Sequence, residues 1–277
     1  MTQAPAQHPA TQSPIKLKHR AMWAFGDYDA VATEVVGGLG PVIVRAAGIG
    51  PGQRVLDVAA GSGNASIPAA ERGARVTASD LTPELLDIGE RRARERGLDL
   101  RWLAADAEFL PFGDGEFDTV LSCVGVMFAP FHQPVADELT RVTRSGGTIA
   151  LINWTPEGFI GRMFTIMKEF VPTPPPGARP GPLWGTEVHV RELFGDRVTE
   201  LQAARRELTV DRFASAEDFR DFFKEHYGPT IAAYRNIADD PYRTAALDRA
   251  LVELARTAGA DTGTMHWEYL LVTARRA

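Results

Sequence analysis

Between residues 54 and 154 the chain alternates short apolar runs with segments whose apolar residues recur at helical spacing. RVLDVAA (54–60), RVTASD (75–80), LRWLAAD (100–106), FDTVLSCVGVMF (117–128) and TIALINW (148–154) read as strands. NASIPAAERG, PELLDIGERRARERG and VADELTRVTR, which fall between them, read as helices. Leu85, Leu86, Ile88 and Ala93 give the second of these an apolar face, and Pro83 sits in its first turn, where a missing N–H costs nothing. Strands alternating with amphipathic helices predict a parallel sheet covered on both faces, with right-handed crossovers.

The rhythm is different at either end. KLKHRAMWAFGDYDAVATEVV (16–36) mixes Met22, Trp23, Phe25, Tyr28 and Val31 with charges, and predicts helices laid over the domain from about residue 20 to 47. Five prolines between Pro172 and Pro180 exclude helix and central strand there, so residues 155–190 are expected to form an extended, proline-rich lid. Residues 205–213 read as a strand, 214–260 as a helical cap over the substrate, and 264–276 as a final strand that pairs antiparallel at one sheet edge.

Composition narrows the function. A length of 277 residues with 44% hydrophobic content suits one domain, here 16–277, behind a leader of about 15 residues expected to be disordered. That leader has neither a basic start nor an apolar stretch, so it is not expected to be a signal peptide. The net charge of −6 gives no overall field to attract nucleic acid, and Arg91, Arg92, Arg94 and Arg96 alternate with Glu90 and Glu95 as on a solvated helix face. A single cysteine, Cys123, fits a reducing, cytoplasmic setting, and no run of 18 apolar residues is present to span a membrane.

The candidate chemistry lies in VLDVAAGSGN, a strand, a glycine-rich turn and a helix start. Such a turn brings backbone close to a ligand at the C-terminal edge of a sheet. A dinucleotide would need three glycines, but Gly61-Ser62-Gly63-Asn64-Ala65-Ser66 lacks the third, and Asp57 would repel a pyrophosphate. A carboxylate there suits a cationic ligand without phosphate. Asp57-Val58-Ala59-Ala60-Gly61-Ser62-Gly63 resembles motif I of the class I S-adenosylmethionine-dependent methyltransferases, with alanine at Ala59 in place of the first glycine. A methyl at that position is tolerable if its φ stays negative.

The resemblance covers roughly residues 20–155 and is nearest to the ubiquinone/menaquinone-biosynthesis type. It implies a Rossmann-like, doubly wound α/β fold: a seven-stranded sheet, mostly parallel, with an antiparallel edge strand. It further implies that Asp57 serves the methionine amino end of the cofactor, that Asp80 binds the ribose hydroxyls and that Leu81 packs on the adenine. Asp106 and the Ala107 N–H would read the adenine edge, with Ala59, Gly61, Gly63, Cys123 and Tyr28 as further cofactor contacts. Asp118 reads as structural. His132 is the candidate base, and Met127, Phe128 and Trp154 are candidate acceptor contacts; Asn153 lies beside them.

Metal is not expected, because no HExxH or paired CxxC is present. The expected reaction is in-line methyl transfer from S-adenosylmethionine to an O or C atom of a small, fairly apolar molecule, yielding S-adenosylhomocysteine. A small-molecule partner, no nucleic acid and a homodimer accompany that reading. Two alternatives stay open: a methyltransferase fold that binds S-adenosylmethionine without transfer, as a cyclase or regulator, and a nicotinamide-dependent oxidoreductase.

Overall fold

The computed structural model describes residues 13–277, so residues 1–12 of the expected leader lie outside the described residues. Order begins earlier than the pattern suggested. Ser13 accepts the Lys16 N–H through its hydroxyl and starts α1 (Pro14–Trp23). There follow α2 (Tyr28–Ala30), which runs into a π turn at Val31–Val35, and α3 (Leu39–Ala46).

The alternating region gives β1 (Arg54–Val58), α4 (Ser66–Glu71), β2 (Arg75–Asp80), α5 (Pro83–Glu95), β3 (Arg101–Ala104), β4 (Phe117–Cys123), α6 (His132–Val142) and β5 (Thr143–Trp154). The last part holds α7 (Phe159–Met167), α8 (Glu187–Phe194), β6 (Val198–Val210), α9 (Ala216–His226), α10 (Gly228–Asn236), α11 (Pro241–Thr257) and β7 (Met265–Arg276).

Seven strands form one sheet in the order β3-β2-β1-β4-β5-β7-β6. β1 pairs in parallel with β2 and β4, β2 with β3, and β4 with β5, while β7 runs antiparallel between β5 and β6. This is the mixed, Rossmann-like, seven-stranded sheet that the resemblance implied. Residues 147–154 of β5 are buried without interruption, as expected of a strand covered on both faces. The chain reverses direction of travel across the sheet between β3 and β4, so the ends of β1 and β4 lie side by side beneath a crevice.

The region read as a proline-rich lid is largely helical. Residues 155–158 and 171–180 are irregular; α7 and a short 3₁₀ turn lie between them, and a 3₁₀ turn at Gly181–Gly185 and α8 follow. Phe159, Ile160, Met163 and Met167 form the apolar stripe that packs α7 inward, and Trp184 is completely buried. The prolines dominate the composition of this stretch, yet they break helix only where they stand.

Candidate functional site

The turn after β1 is built from residues in the left-handed region. Ala59 has φ 54°, Gly61 φ 56° and Gly63 φ 88°. The condition of negative φ at Ala59 is therefore not met, and this alanine carries the strain that the missing glycine would have avoided. A left-handed non-glycine residue costs roughly 1–2 kcal/mol, partly offset in a glycine variant by the greater freedom of the unfolded chain. Ala59→Gly is expected to stabilise the fold by about 0.5–1 kcal/mol, read by urea denaturation, and to preserve ligand binding. A second strained residue, Val124 with φ 53°, directly follows β4. A β-branched side chain in this region is a true outlier, and such strain collects at functional sites.

A cavity of about 790 Å³, its open mouth included, lies over these strand ends. Ala59, Ala60, Gly61, Asp80, Leu81, Asp106, Ala107, Cys123, Phe128 and Tyr28 line it, together with Lys16 and His19 of α1. Most of the candidate cofactor contacts are thus brought together.

Asp80 ties the loop to β2: its Oδ2 accepts the Gly61 N–H at 2.9 Å and its Oδ1 the Thr82 N–H at 2.8 Å. Burial pushes its carboxyl upward, and those N–H donors pull it back. Tyr28 packs its ring against Gly61, where a Cβ would lie 3.2 Å from Cε1. Burial raises the Tyr28 hydroxyl, as it does the Cys123 thiol, which the nearby Asp57 pushes further; both stay protonated near neutrality.

Two expected contacts lie behind the loop. Gly63 backs onto Trp102, whose ring would stand 2.7 Å from an added Cβ, so its lack of a side chain serves packing between strand and helix. Asp57 is 1% exposed and does not line the cavity. Its Oδ2 accepts the Ser66 hydroxyl of α4 at 2.6 Å, while Oδ1 is buried without a partner. Burial raises its carboxyl to about 7, Asp80 adds to the rise and the Ser66 bond opposes it. Asp57 therefore lies beneath the loop, tied to the first residue of α4.

Sequence reasoning missed Lys16. Its ammonium is buried and lies 2.8 Å from both Asp106 Oδ1 and Glu108 Oε2. Asp106 Oδ1 also accepts the Glu108 N–H at 3.0 Å, whereas Oδ2 has no partner. Glu108 in turn accepts the Phe131 N–H at 3.1 Å. Burial pushes Glu108 up against the pull of Lys16, and burial together with Lys16 lowers His19.

His132 is not placed to act as a base. It lines neither cavity and is 2% exposed; its Nδ1 lies 2.9 Å from His189 Nε2 of α8. Burial, His189 and Arg179 lower it to about 3, so it is neutral and weakly basic. One tautomer on each ring makes this a single N–H···N bond joining α6 to α8. Met127 is likewise buried away from both cavities, with its carbonyl against Gly181. Asn153 is fully buried, lines neither cavity and has no partner for either amide atom.

A second, smaller cavity of about 310 Å³, its open mouth included, adjoins the first and shares Tyr28, Val124 and Phe128 with it. Trp154 is there as expected, now joined by Tyr227, Phe223, Trp267 and Ile160 from the C-terminal half. Trp23 bridges the two cavities, with ring centroids 5.4 Å from Tyr28, 4.7 Å from Phe128 and 5.8 Å from Tyr227. Among the described residues, no group of three or more His, Cys, Asp or Glu is arranged to hold a metal, and no helix is long and apolar enough to cross a membrane.

The set of donors and acceptors fits S-adenosylmethionine. Glycine backbone and the carboxylates of Asp80 and Asp106 line a cavity whose basic side chains, among the described residues, are Lys16, paired with two carboxylates, and His19.

Comparison with known proteins agrees. Residues 56–151 match the family model described as a methyltransferase domain. An uncharacterised protein of Mycobacterium tuberculosis is 55% identical over 258 residues, which cover 93% of this chain and 94% of that protein. The demethylmenaquinone methyltransferase of Renibacterium salmoninarum is 37% identical over 130 residues, 47% of this chain and 53% of its own. The crystal structure of the YcgJ protein from Bacillus subtilis superposes with a TM-score of 0.58 at 17% identity, covering 85% of this chain and 96% of that one. With the glycine loop, the strand-end carboxylates and the sheet order all in place, the chain belongs to the class I S-adenosylmethionine-dependent methyltransferases, in one family with its mycobacterial relative.

Proposed function

We propose that the protein transfers a methyl group to a carbon or oxygen atom of a small, fairly apolar molecule held in the second cavity. The observation that carries this reading is the chemistry of that cavity's wall. Val31, Val36, Val124, Ile160, Phe128, Phe223, Trp154 and Trp267 line it with Tyr28 and Tyr227, and no carboxylate or histidine is among them. Such a wall selects apolar surface and leaves orientation to a few polar tips. Bound in the first cavity, S-adenosylmethionine supplies a methyl group on a sulfonium, an excellent leaving group.

The chain's own contribution is position and exclusion of water. Tyr28, Val124 and Phe128 stand at the junction of the two cavities, where nucleophile and methyl carbon have to meet in line. Orientation of this kind can supply roughly 7–11 kcal/mol of a barrier. Among the described residues, no carboxylate or histidine lines the second cavity to serve as a general base. Burial holds the Tyr227 hydroxyl well above its ordinary range, so it remains a donor. The acceptor therefore brings a nucleophile that reacts without assisted deprotonation, and the proton it loses leaves afterwards to solvent.

The match to the demethylmenaquinone enzyme covers less than half of this chain, so it does not by itself transfer that enzyme's acceptor. The acceptor wall draws on α7, α9 and β7, outside the matched domain. The experiment is incubation with methyl-labelled S-adenosylmethionine and a panel of flat, apolar phenols, hydroquinones and alkenes. Label in an organic-extractable product, with one S-adenosylhomocysteine formed per product, is expected. A cofactor-dependent change in an acceptor that takes up no label would replace transfer with the cyclase reading.

A further inference from the structure

Every polar tip in the wall of the second cavity is able to donate a hydrogen bond. Among the described residues, no carboxylate, histidine, side-chain amide, serine or threonine lines it. Trp154 and Trp267 bring indole N–H groups, which only donate, and Tyr28 and Tyr227 bring hydroxyls that burial keeps protonated. Tyr28 also lines the first cavity, whereas Tyr227 lines the second alone.

Tyr227 is 5% exposed, and its hydroxyl makes no hydrogen bond to any described residue. That hydroxyl keeps accessible surface, unlike the Trp267 indole nitrogen, which is sealed. A hydroxyl taken out of bulk water into apolar surroundings is costly until a partner bonds it. The ring is also held in place. Tyr227 links the end of α9 to the start of α10, and the next residue, Gly228, sits so close to α1 that a Cβ there would stand 2.3 Å from the Met22 carbonyl oxygen. Phe223, Trp23 and Phe164 pack around the ring, with centroids at 5.2, 5.8 and 6.5 Å.

We infer that Tyr227 is a specificity-determining residue for the acceptor: its hydroxyl donates to an oxygen of the acceptor, so the site takes an apolar ring that bears a carbonyl oxygen over the same ring without one. This rests on the assignment of the acceptor to the second cavity. An accepting oxygen finds donors in this wall. An ammonium finds no carboxylate, and at the junction of the cavities it would face the sulfonium of the cofactor, like charge against like.

The test is calorimetric titration of the full chain, in excess S-adenosylhomocysteine, with three rings of one shape: 1-tetralone, tetralin and 1-aminotetralin. The native protein is expected to bind the ketone at least as tightly as the hydrocarbon, although the ketone loses more hydration, and to bind the amine most weakly. Tyr227→Phe keeps the ring and its packing. It is expected to weaken the ketone relative to the hydrocarbon by about tenfold or more, the value of one hydrogen bond to a buried hydroxyl, while the affinity for tetralin holds or improves and that for S-adenosylhomocysteine is unchanged. Equal weakening of ketone and hydrocarbon would make Tyr227 a packing residue and overturn the inference. A ratio that Tyr227→Phe does not move, or an amine bound more tightly than the ketone, would overturn it too, and leaves the acceptor assignment standing. If the native chain binds S-adenosylhomocysteine but none of the three rings, the acceptor assignment falls and this inference with it.

Discussion

Asp80→Ala is expected to weaken S-adenosylmethionine binding by about 100-fold or more, because charge-assisted hydrogen bonds to a ribose diol are worth roughly 1.5–3 kcal/mol each. The substitution acts twice. It removes the acceptor at the end of β2, and it releases the Gly61 and Thr82 N–H groups that Asp80 holds at 2.9 and 2.8 Å. Each buried N–H left without a partner costs about 1–3 kcal/mol, so the unliganded fold should also lose a few kcal/mol. Asp80→Asn is no rescue: its N–H₂ faces one of the two backbone donors. Calorimetry with S-adenosylhomocysteine and urea denaturation of the same samples separate the two effects. A variant that loses stability but keeps its Kd would remove Asp80 from the binding site.

Asp57 gives the second large effect, through pH. Its carboxyl is raised from 3.8 to about 7, first by burial and then by Asp80, against the pull of the Ser66 hydroxyl. Cys123 on β4 faces it as well, with its thiol pushed up in turn by the Asp57 charge. Between pH 3.8 and 7 the unfolded chain has an ionised aspartate and the native state a protonated one. The native state binds more protons, so the stability that Asp57 contributes is full below 3.8, falls as pH rises and is lost once pH passes 7. At 1.36 kcal/mol per pH unit the interval corresponds to about 4 kcal/mol. Asp57→Asn keeps an acceptor for Ser66 and carries no charge. It is expected to stabilise the unliganded protein at pH 8 by up to that amount, with the gain fading toward pH 4.

A cationic ligand above the loop favours the ionised form. Cofactor binding near pH 7 is therefore expected to release a proton from Asp57, and affinity to rise from pH 6 to pH 8. Calorimetry in buffers of different ionisation enthalpy counts that proton. An affinity that does not change over this range, or an Asp57→Asn protein with the native pH dependence, would contradict the role given to Asp57.

The legible part of the site is the part made by strand ends. Asp57, Asp80 and Asp106 lie in the last residues of, or just past, three neighbouring strands, and a parallel sheet aligns such ends along one edge wherever its helices go. What the spacing could not give is which side of the loop each group takes. Asp57 and Gly63 lie behind it, because Ser66 and Trp102 claim them. His132 read as a base because it follows β4, but only the packing of α8 against α6 buries it with His189. Lys16 sits in a short basic stretch without periodicity, and its partners lie far along the chain. Part of the second cavity's wall escaped for a similar reason. Phe223 and Trp267 belong to α9 and β7, and only the return of β7 between β5 and β6 brings Trp267 beside Trp154. The stretch 155–190 misled because composition was dominated by five prolines, while the apolar stripe of α7 lay just ahead of them.

The central claim is that the crevice over β1 and β4 holds S-adenosylmethionine. Isothermal titration of the full chain with S-adenosylmethionine at pH 8, with NADH in a parallel cell, tests it most directly. The predicted result is saturable binding of one S-adenosylmethionine per chain that disappears in Asp80→Ala, and no binding of NADH. Saturable binding of NADH with no heat from S-adenosylmethionine would contradict the account.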